Sequence, residues 1–134
     1  MNFRIPGAIA VLLSFFFALF ALAQEEPTSL SDARSAVETN LRTSGGKAYD
    51  QQLGKEFPQK YLSTMRECKK SAGEDRASFW ILIKLDKDGT VKEVLLHPTT
   101  KLALCARNAL LKGNFSPPPA PAYWVSIYTR ISRK

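Results

Sequence analysis

The spacing of apolar residues changes period at Ser78, and that change decides what the chain can fold into. Before it, Leu30, Ala33, Val37 and Leu41 recur at steps of three and four, which places them along one side of a helix. After it, Phe79, Ile81, Ile83 and Leu85 alternate with Trp80, Leu82, Lys84 and Asp86, the pattern of a strand with one strongly apolar face. Asp86-Lys87-Asp88-Gly89 then makes a tight turn, with Gly89 supplying the left-handed backbone that a type I turn plus bulge requires. The chain returns as a second strand over residues 90–97, through Val91, Val94 and Leu96. Its apolar positions shift from odd to even numbers, which predicts a bulge. A calcium loop at Asp86 and Asp88 would need more oxygen ligands at fixed spacing than this turn carries.

The remaining elements follow from caps and breakers. Ser31 is a cap for the first helix, Asp32 lies in its first turn, and Gly45-Gly46 stops it. Residues 47–56 show no clear period and read as a loop with room for one helical turn. Pro58 suits a first-turn position and opens a second helix, with Tyr61, Leu62, Met65 and Cys68 as its buried stripe and Ala72-Gly73 as its end. Thr99 or Thr100 caps a third helix over residues 101–112, ended by Gly113-Asn114. Leu102, Cys105, Ala106, Ala109 and Leu110 form its inner face. Pro117-Pro118-Pro119-Ala120-Pro121 holds the chain extended. In the last strand, residues 122–132, Tyr123, Val125, Ile127, Thr129 and Ile131 oppose Trp124, Ser126, Tyr128 and Arg130. The expected fold class is α+β: a small three-stranded antiparallel sheet with a helix packed on it, preceded by two helices.

Residues 1–23 read as an address. Arg4 provides a positive start, an apolar run surrounds Phe15-Phe16-Phe17, and Ala21-Leu22-Ala23 fits the small-x-small step of a signal peptidase site. The competing reading is an uncleaved membrane anchor, because the run is nearly long enough to span a bilayer. Cleavage after Ala23 leaves a periplasmic or secreted chain with a helical extension at 24–76 and a domain at 77–134. In an oxidising compartment the even pair Cys68 and Cys105 reads as a disulfide. A reactive thiol would need a base or helix dipole beside it, and none lies nearby in sequence.

Charge narrows the partners. The 134 residues carry a formal charge of +7. Residues 24–100 hold 12 basic and 12 acidic side chains, whereas Lys101, Arg107, Lys112, Arg130, Arg133 and Lys134 have no acidic counterpart after residue 100. This basic patch suits an anionic envelope surface or an acidic peptide; a solvated tail that keeps the domain soluble is the alternative. Nucleic acid is not an expected partner, because the charges form no recognised binding motif.

Catalytic equipment is sparse. Two cysteines and one histidine cannot assemble a Cys/His zinc cage, so no metal or other cofactor is expected. His97, with Glu93 as the nearest acid in sequence, reads as solvated surface at a strand end rather than as a general base. No phosphate loop, nucleophile elbow or spaced carboxylate pair is present. No catalytic residue is therefore assigned, although a small hydrolase or thiol enzyme stays as a distant alternative. Trp124 and Tyr128 could stack a sugar, but aromatics on a half-buried strand more often serve packing.

Several of these elements occur together in a recognisable order. Phe79 begins a strand that runs into Lys87-Asp88-Gly89-Thr90-Val91 and Lys92-Glu93-Val94. The helix around Cys105-Ala106-Arg107-Asn108-Ala109-Leu110 follows, then Phe115 with the prolines, then the alternating strand Trp124 to Ile131. This stretch resembles the carboxy-terminal domain of the TonB family. The resemblance implies a periplasmic module with a free last edge, on which Tyr123, Trp124, Val125, Ser126, Ile127, Tyr128 and Thr129 would pair with a peptide by strand addition. The partner implied is a periplasmic or outer-membrane protein or peptide, and a strand-exchanged homodimer is compatible with the same fold. The chain departs from the family's energy transducers in lacking an anchor histidine and a proline-rich spacer. A membrane-tethered accessory of energy-coupled transport is therefore the second expectation and a stand-alone, non-enzymatic binding module the first.

Overall fold

The computed structural model describes residues 28–132. The leader with its cleavage site, together with Arg133 and Lys134, lies outside the described residues. Six elements follow in order: α1 (Leu30–Leu41), α2 (Ser44–Ala72), β1 (Phe79–Leu85), β2 (Val91–His97), α3 (Lys101–Leu110) and β3 (Tyr123–Thr129). The three strands form one antiparallel sheet in the order β2-β1-β3. The fold is α+β, as the change of period requires.

The central strand explains the sheet. Phe79, Ile81, Ile83 and Leu85 are fully buried on one face. There they pack with Tyr49, Leu53 and Tyr61 of α2 and with Leu102, Ala106 and Leu110 of α3. Residues on both sides of position 76 thus share a single core. Lys84 pairs with Glu93 and Leu85 with Val91, so Lys92 is the extra residue of the expected bulge. Gly89 has a φ of 87°, and a Cβ there would also strike the carbonyl of Phe115. Phe115 in turn donates its N–H to the Gly89 carbonyl at 2.9 Å, so the turn doubles as an anchor for the approach to β3.

A second layer covers part of the opposite face. Ala33 and Val37 of α1 pack on Leu82 and Trp124, which adds a helix beyond the one that periodicity laid on the sheet. Cys68 and Cys105 are bridged, with Cα atoms 5.6 Å apart, inside the span a disulfide tolerates. The bridge ties α2 to α3.

Several local expectations are corrected. Ser29, not Ser31, caps α1, its Oγ accepting the Asp32 N–H at 3.1 Å. Gly45-Gly46 does not stop the helical region but opens α2, because a Cβ at Gly46 would meet the Asn40 carbonyl and only glycine lets the two helices turn so closely. Residues 47–56 are helical, not a loop, and Pro58 lies inside α2 rather than at its start. An interior proline costs about 3 kcal/mol, yet Tyr49 and Leu53 before it and Tyr61, Cys68 and Ala72 after it all enter the same core. That shared burial offsets the lost ladder bond. Leu62, expected in the buried stripe, is 47% exposed. Thr100 caps α3, accepting from the Ala103 N–H, and the helix closes at Leu110 rather than Lys112.

Candidate functional site

Among the described residues, β3 has β1 on one side only. In an antiparallel ladder, alternate residues turn both backbone groups toward the neighbour or both away from it. Ile131 donates its N–H to Ser78 Oγ at 2.9 Å, which sets Tyr123, Val125, Ile127 and Thr129 as the inward series. Trp124, Ser126 and Tyr128 therefore face the open edge. The first of these is already engaged, since Asn40 Nδ2 donates to the Trp124 carbonyl at 2.9 Å. The backbone groups of Ser126 and Tyr128 have no protein partner among the described residues.

The seven residues of the expected edge thus divide. Tyr123, Trp124 and Val125 are buried in the two cores, Ser126, Ile127 and Thr129 are half-buried, and Tyr128 is 48% exposed. Only the second half of β3 offers both free backbone and accessible side chains.

The uncovered part of the outer face carries rings. Trp80 pairs with His97 on one side and with Tyr128 on the other, so the three lie in one row across the sheet. Trp80 is 42% exposed, and its ring centroid is 4.8 Å from that of Tyr128 at a tilt of 41°. Beside the row, a groove of about 380 Å³ opens between α1 and the sheet. Val37, Leu41, Trp80 and Leu82 line it, with Arg34, Glu38 and Ser126 adding polar atoms.

A latch on the far side positions the chain that leads into β3. The Ser116 N–H donates to both Glu56 carboxylate oxygens, at 2.9 and 3.2 Å, and the Tyr49 hydroxyl donates to the Ser116 carbonyl at 2.6 Å. Lys60 pairs with Glu56 at 2.8 Å and donates to the Asn114 carbonyl. Burial pushes the Glu56 carboxyl up, but the hydrogen bonds from Lys60 and Ser116 and the Lys60 charge outweigh it and hold the group below its ordinary value. Burial, reinforced by the Glu56 charge, pushes the Tyr49 phenol up to about 12.

The expected basic patch is divided by the fold. Lys101 starts α3, its N–H donating to Asp75 Oδ2 at 3.0 Å, and shares the pole of the sheet where β3 runs out into Arg130. Lys112 lies at the opposite pole, next to Gly113, whose carbonyl accepts from Val91. Arg107 lies between them on α3. A second depression with basic side chains comes from Arg66, Lys69, Lys70 and Arg76, in the stretch whose formal charges cancel; Glu67 also lines it and pairs with Lys70 at 2.9 Å. The depression surrounds the carboxyl end of α2, where cations complement the helix dipole.

His97 is exposed, and Glu93, four residues and roughly 13 Å along the strand, instead accepts the Thr28 N–H at 3.1 Å. Among the described residues, no three His, Cys, Asp or Glu side chains cluster to hold a metal ion. No helix among them is long and apolar enough to cross a membrane. Sequence reasoning missed Trp80, Arg34, Val37 and Leu41 as site residues. Trp80, on the same side of β1 as Leu82 and Lys84, was the available signal, but the cross-strand register that aligns it with Tyr128 is not written locally. A scan of protein-family models matches no family, and neither the curated proteins nor the solved structures yield a match.

Proposed function

We propose that the protein is an exported, non-enzymatic binding module that takes up an extended peptide as a fourth strand along β3. The observation that carries this reading is the pair of outward residues Ser126 and Tyr128, whose backbone groups have no partner among the described residues. Strand addition satisfies such groups with main-chain hydrogen bonds and takes its selectivity from pockets for alternate side chains. The groove under α1 and the Trp80–Tyr128 rings are surfaces of that kind. Export rests on residues 1–23, and the Cys68–Cys105 bridge is compatible with it. The TonB-like order of elements supports the same reading, with the partner a protein or peptide of the cell envelope.

The test is selection of peptides from a displayed random library on the full mature chain, followed by backbone amide exchange with each selected peptide. Slowed exchange at Ser126 and Tyr128 supports the reading. Peptides that bind yet leave those two amides unchanged, or a library that yields no binder, overturn it.

A further inference from the structure

Strand addition at β3 leaves open which peptides are accepted, and the alternation of the edge answers that question. A residue placed directly opposite another on a neighbouring strand shares its face of the sheet. Residues opposite Ser126 and Tyr128 would therefore both project toward the α1 side, and a third, opposite Arg130, would follow them. The extended path continues past β3 that far, because Ile131 still bonds Ser78.

The three positions meet different chemistry. Opposite Ser126 the neighbouring side chain is small, and the groove beside it is walled by Val37, Leu41 and Leu82. Branched aliphatic walls suit a bulky aliphatic side chain. The charges of Arg34 and Glu38 at the same groove are of opposite sign and close in sequence, so they favour neither sign of ligand. Opposite Tyr128 an added ring would extend the row His97–Trp80–Tyr128 by one strand, and aromatic pairs are among the favourable cross-strand contacts. Opposite Arg130 the guanidinium is exposed and has no acidic partner among the described residues, so it selects a carboxylate.

Resting on the strand-addition reading, we infer that the edge reads a peptide at three alternate positions: a bulky aliphatic residue beside Ser126, an aromatic one beside Tyr128 and an acidic one beside Arg130. The residues between them project to the opposite face, beside Ile127 and Thr129, and carry less of the selection.

The probes are the peptide Thr-Leu-Thr-Phe-Thr-Glu-Thr and its reversed sequence, which cover both strand directions. Variants change Leu to Ser, Phe to Ser or Glu to Lys. Against the full mature chain, one of the two parents should bind and slow exchange at Ser126 and Tyr128, and each variant should bind at least fivefold more weakly. Arg130→Glu should invert the last preference, so that the Lys peptide outbinds the Glu peptide. Tyr128→Ser should abolish discrimination at the aromatic position while preserving it at the acidic one. If all the peptides slow the two amides equally, the three-position code is overturned and strand addition stands. If neither these peptides nor any library peptide slows them, both fall.

Discussion

Asn40 and Trp124, 84 positions apart, are joined by a 2.9 Å hydrogen bond from the Asn40 side-chain amide to the Trp124 carbonyl. Asn40 also accepts, at its own carbonyl, the Thr43 N–H and hydroxyl where α1 turns into α2. One residue thus holds the helical corner and closes the first outward group of the β3 edge. Asn40→Ala should lower stability by about 1 kcal/mol, the usual net worth of such a bond, read as a shift in the urea midpoint at constant slope. It should also speed local exchange at the start of β3.

The two glycines of that corner should behave oppositely. A Cβ at Gly45 meets nothing within 4 Å, so Gly45→Ala should stabilise by about 0.4–1 kcal/mol through loss of unfolded-state freedom. A Cβ at Gly46 meets the Asn40 carbonyl, a backbone atom that cannot swing aside. Gly46→Ala should cost about 1–3 kcal/mol, and thermal unfolding of the two variants side by side checks the sign of each.

Cys68 and Cys105 close a loop with a sequence separation of 37. The chain-entropy account gives such a closure about 4 kcal/mol. The Cys68→Ala/Cys105→Ala double variant should lose stability of that order in denaturant titrations, and reducing agent should weaken the parent but leave the variant unchanged. Equal sensitivity of both proteins to reductant would contradict the assignment.

The latch on Ser116 should give stability limbs at both extremes of pH. Glu56 is held below its ordinary value of 4.5 in the folded chain. Its contribution is therefore complete above that value and disappears as pH falls through the lower folded one. Glu56→Gln should flatten this acid limb. Tyr49 moves the other way, from 10.0 to about 12. Its contribution is complete below 10 and is lost as pH rises toward 12, with Tyr61 and Tyr123, also raised mainly by burial, adding in the same direction. Urea midpoints measured across pH, with Tyr49→Phe as the alkaline control, test both signs.

Thr129 Oγ1 is a buried side-chain oxygen without a hydrogen-bond partner among the described residues. Replacing an unsatisfied hydroxyl by a methyl of the same shape removes a desolvation penalty and no bond. Thr129→Val should be neutral or stabilise by up to about 1 kcal/mol, whereas an ordinary core substitution destabilises. A clear drop in the thermal midpoint would show that the hydroxyl is satisfied in solution.

The largest departure from sequence expectation lies in α2. Gly46, Tyr49, Leu53, Phe57, Tyr61, Met65, Cys68 and Ala72 follow one another at steps of three and four, a continuous helical stripe. Within residues 47–56 Tyr49 and Leu53 alone belong to it, too few to show a period, and Gly45, Gly54 and Pro58 disfavour helix locally, so the chain reads as a loop and a shorter helix where the fold has 29 helical residues. What outweighs the breakers is burial against β1 and α3, supplied by residues distant in the chain.

Order and identity of the strands, the Gly89 turn, the bulge and most of the inward face of α3 (Ala103 is buried there and Ala109 only half-buried) were legible along the chain, because each depends on a short-range period or on one residue's backbone preference. The sequence also singled out the two cysteines, whose even count needs no geometry to suggest a bridge. Tertiary structure alone decided that α1 covers part of the outer face, that Asn40 closes the Trp124 end of the edge, and that His97, Trp80 and Tyr128 align in a row. These depend on register and on contacts between elements far apart in sequence, where packing and backbone satisfaction over the whole domain select one arrangement among many that local patterns permit equally.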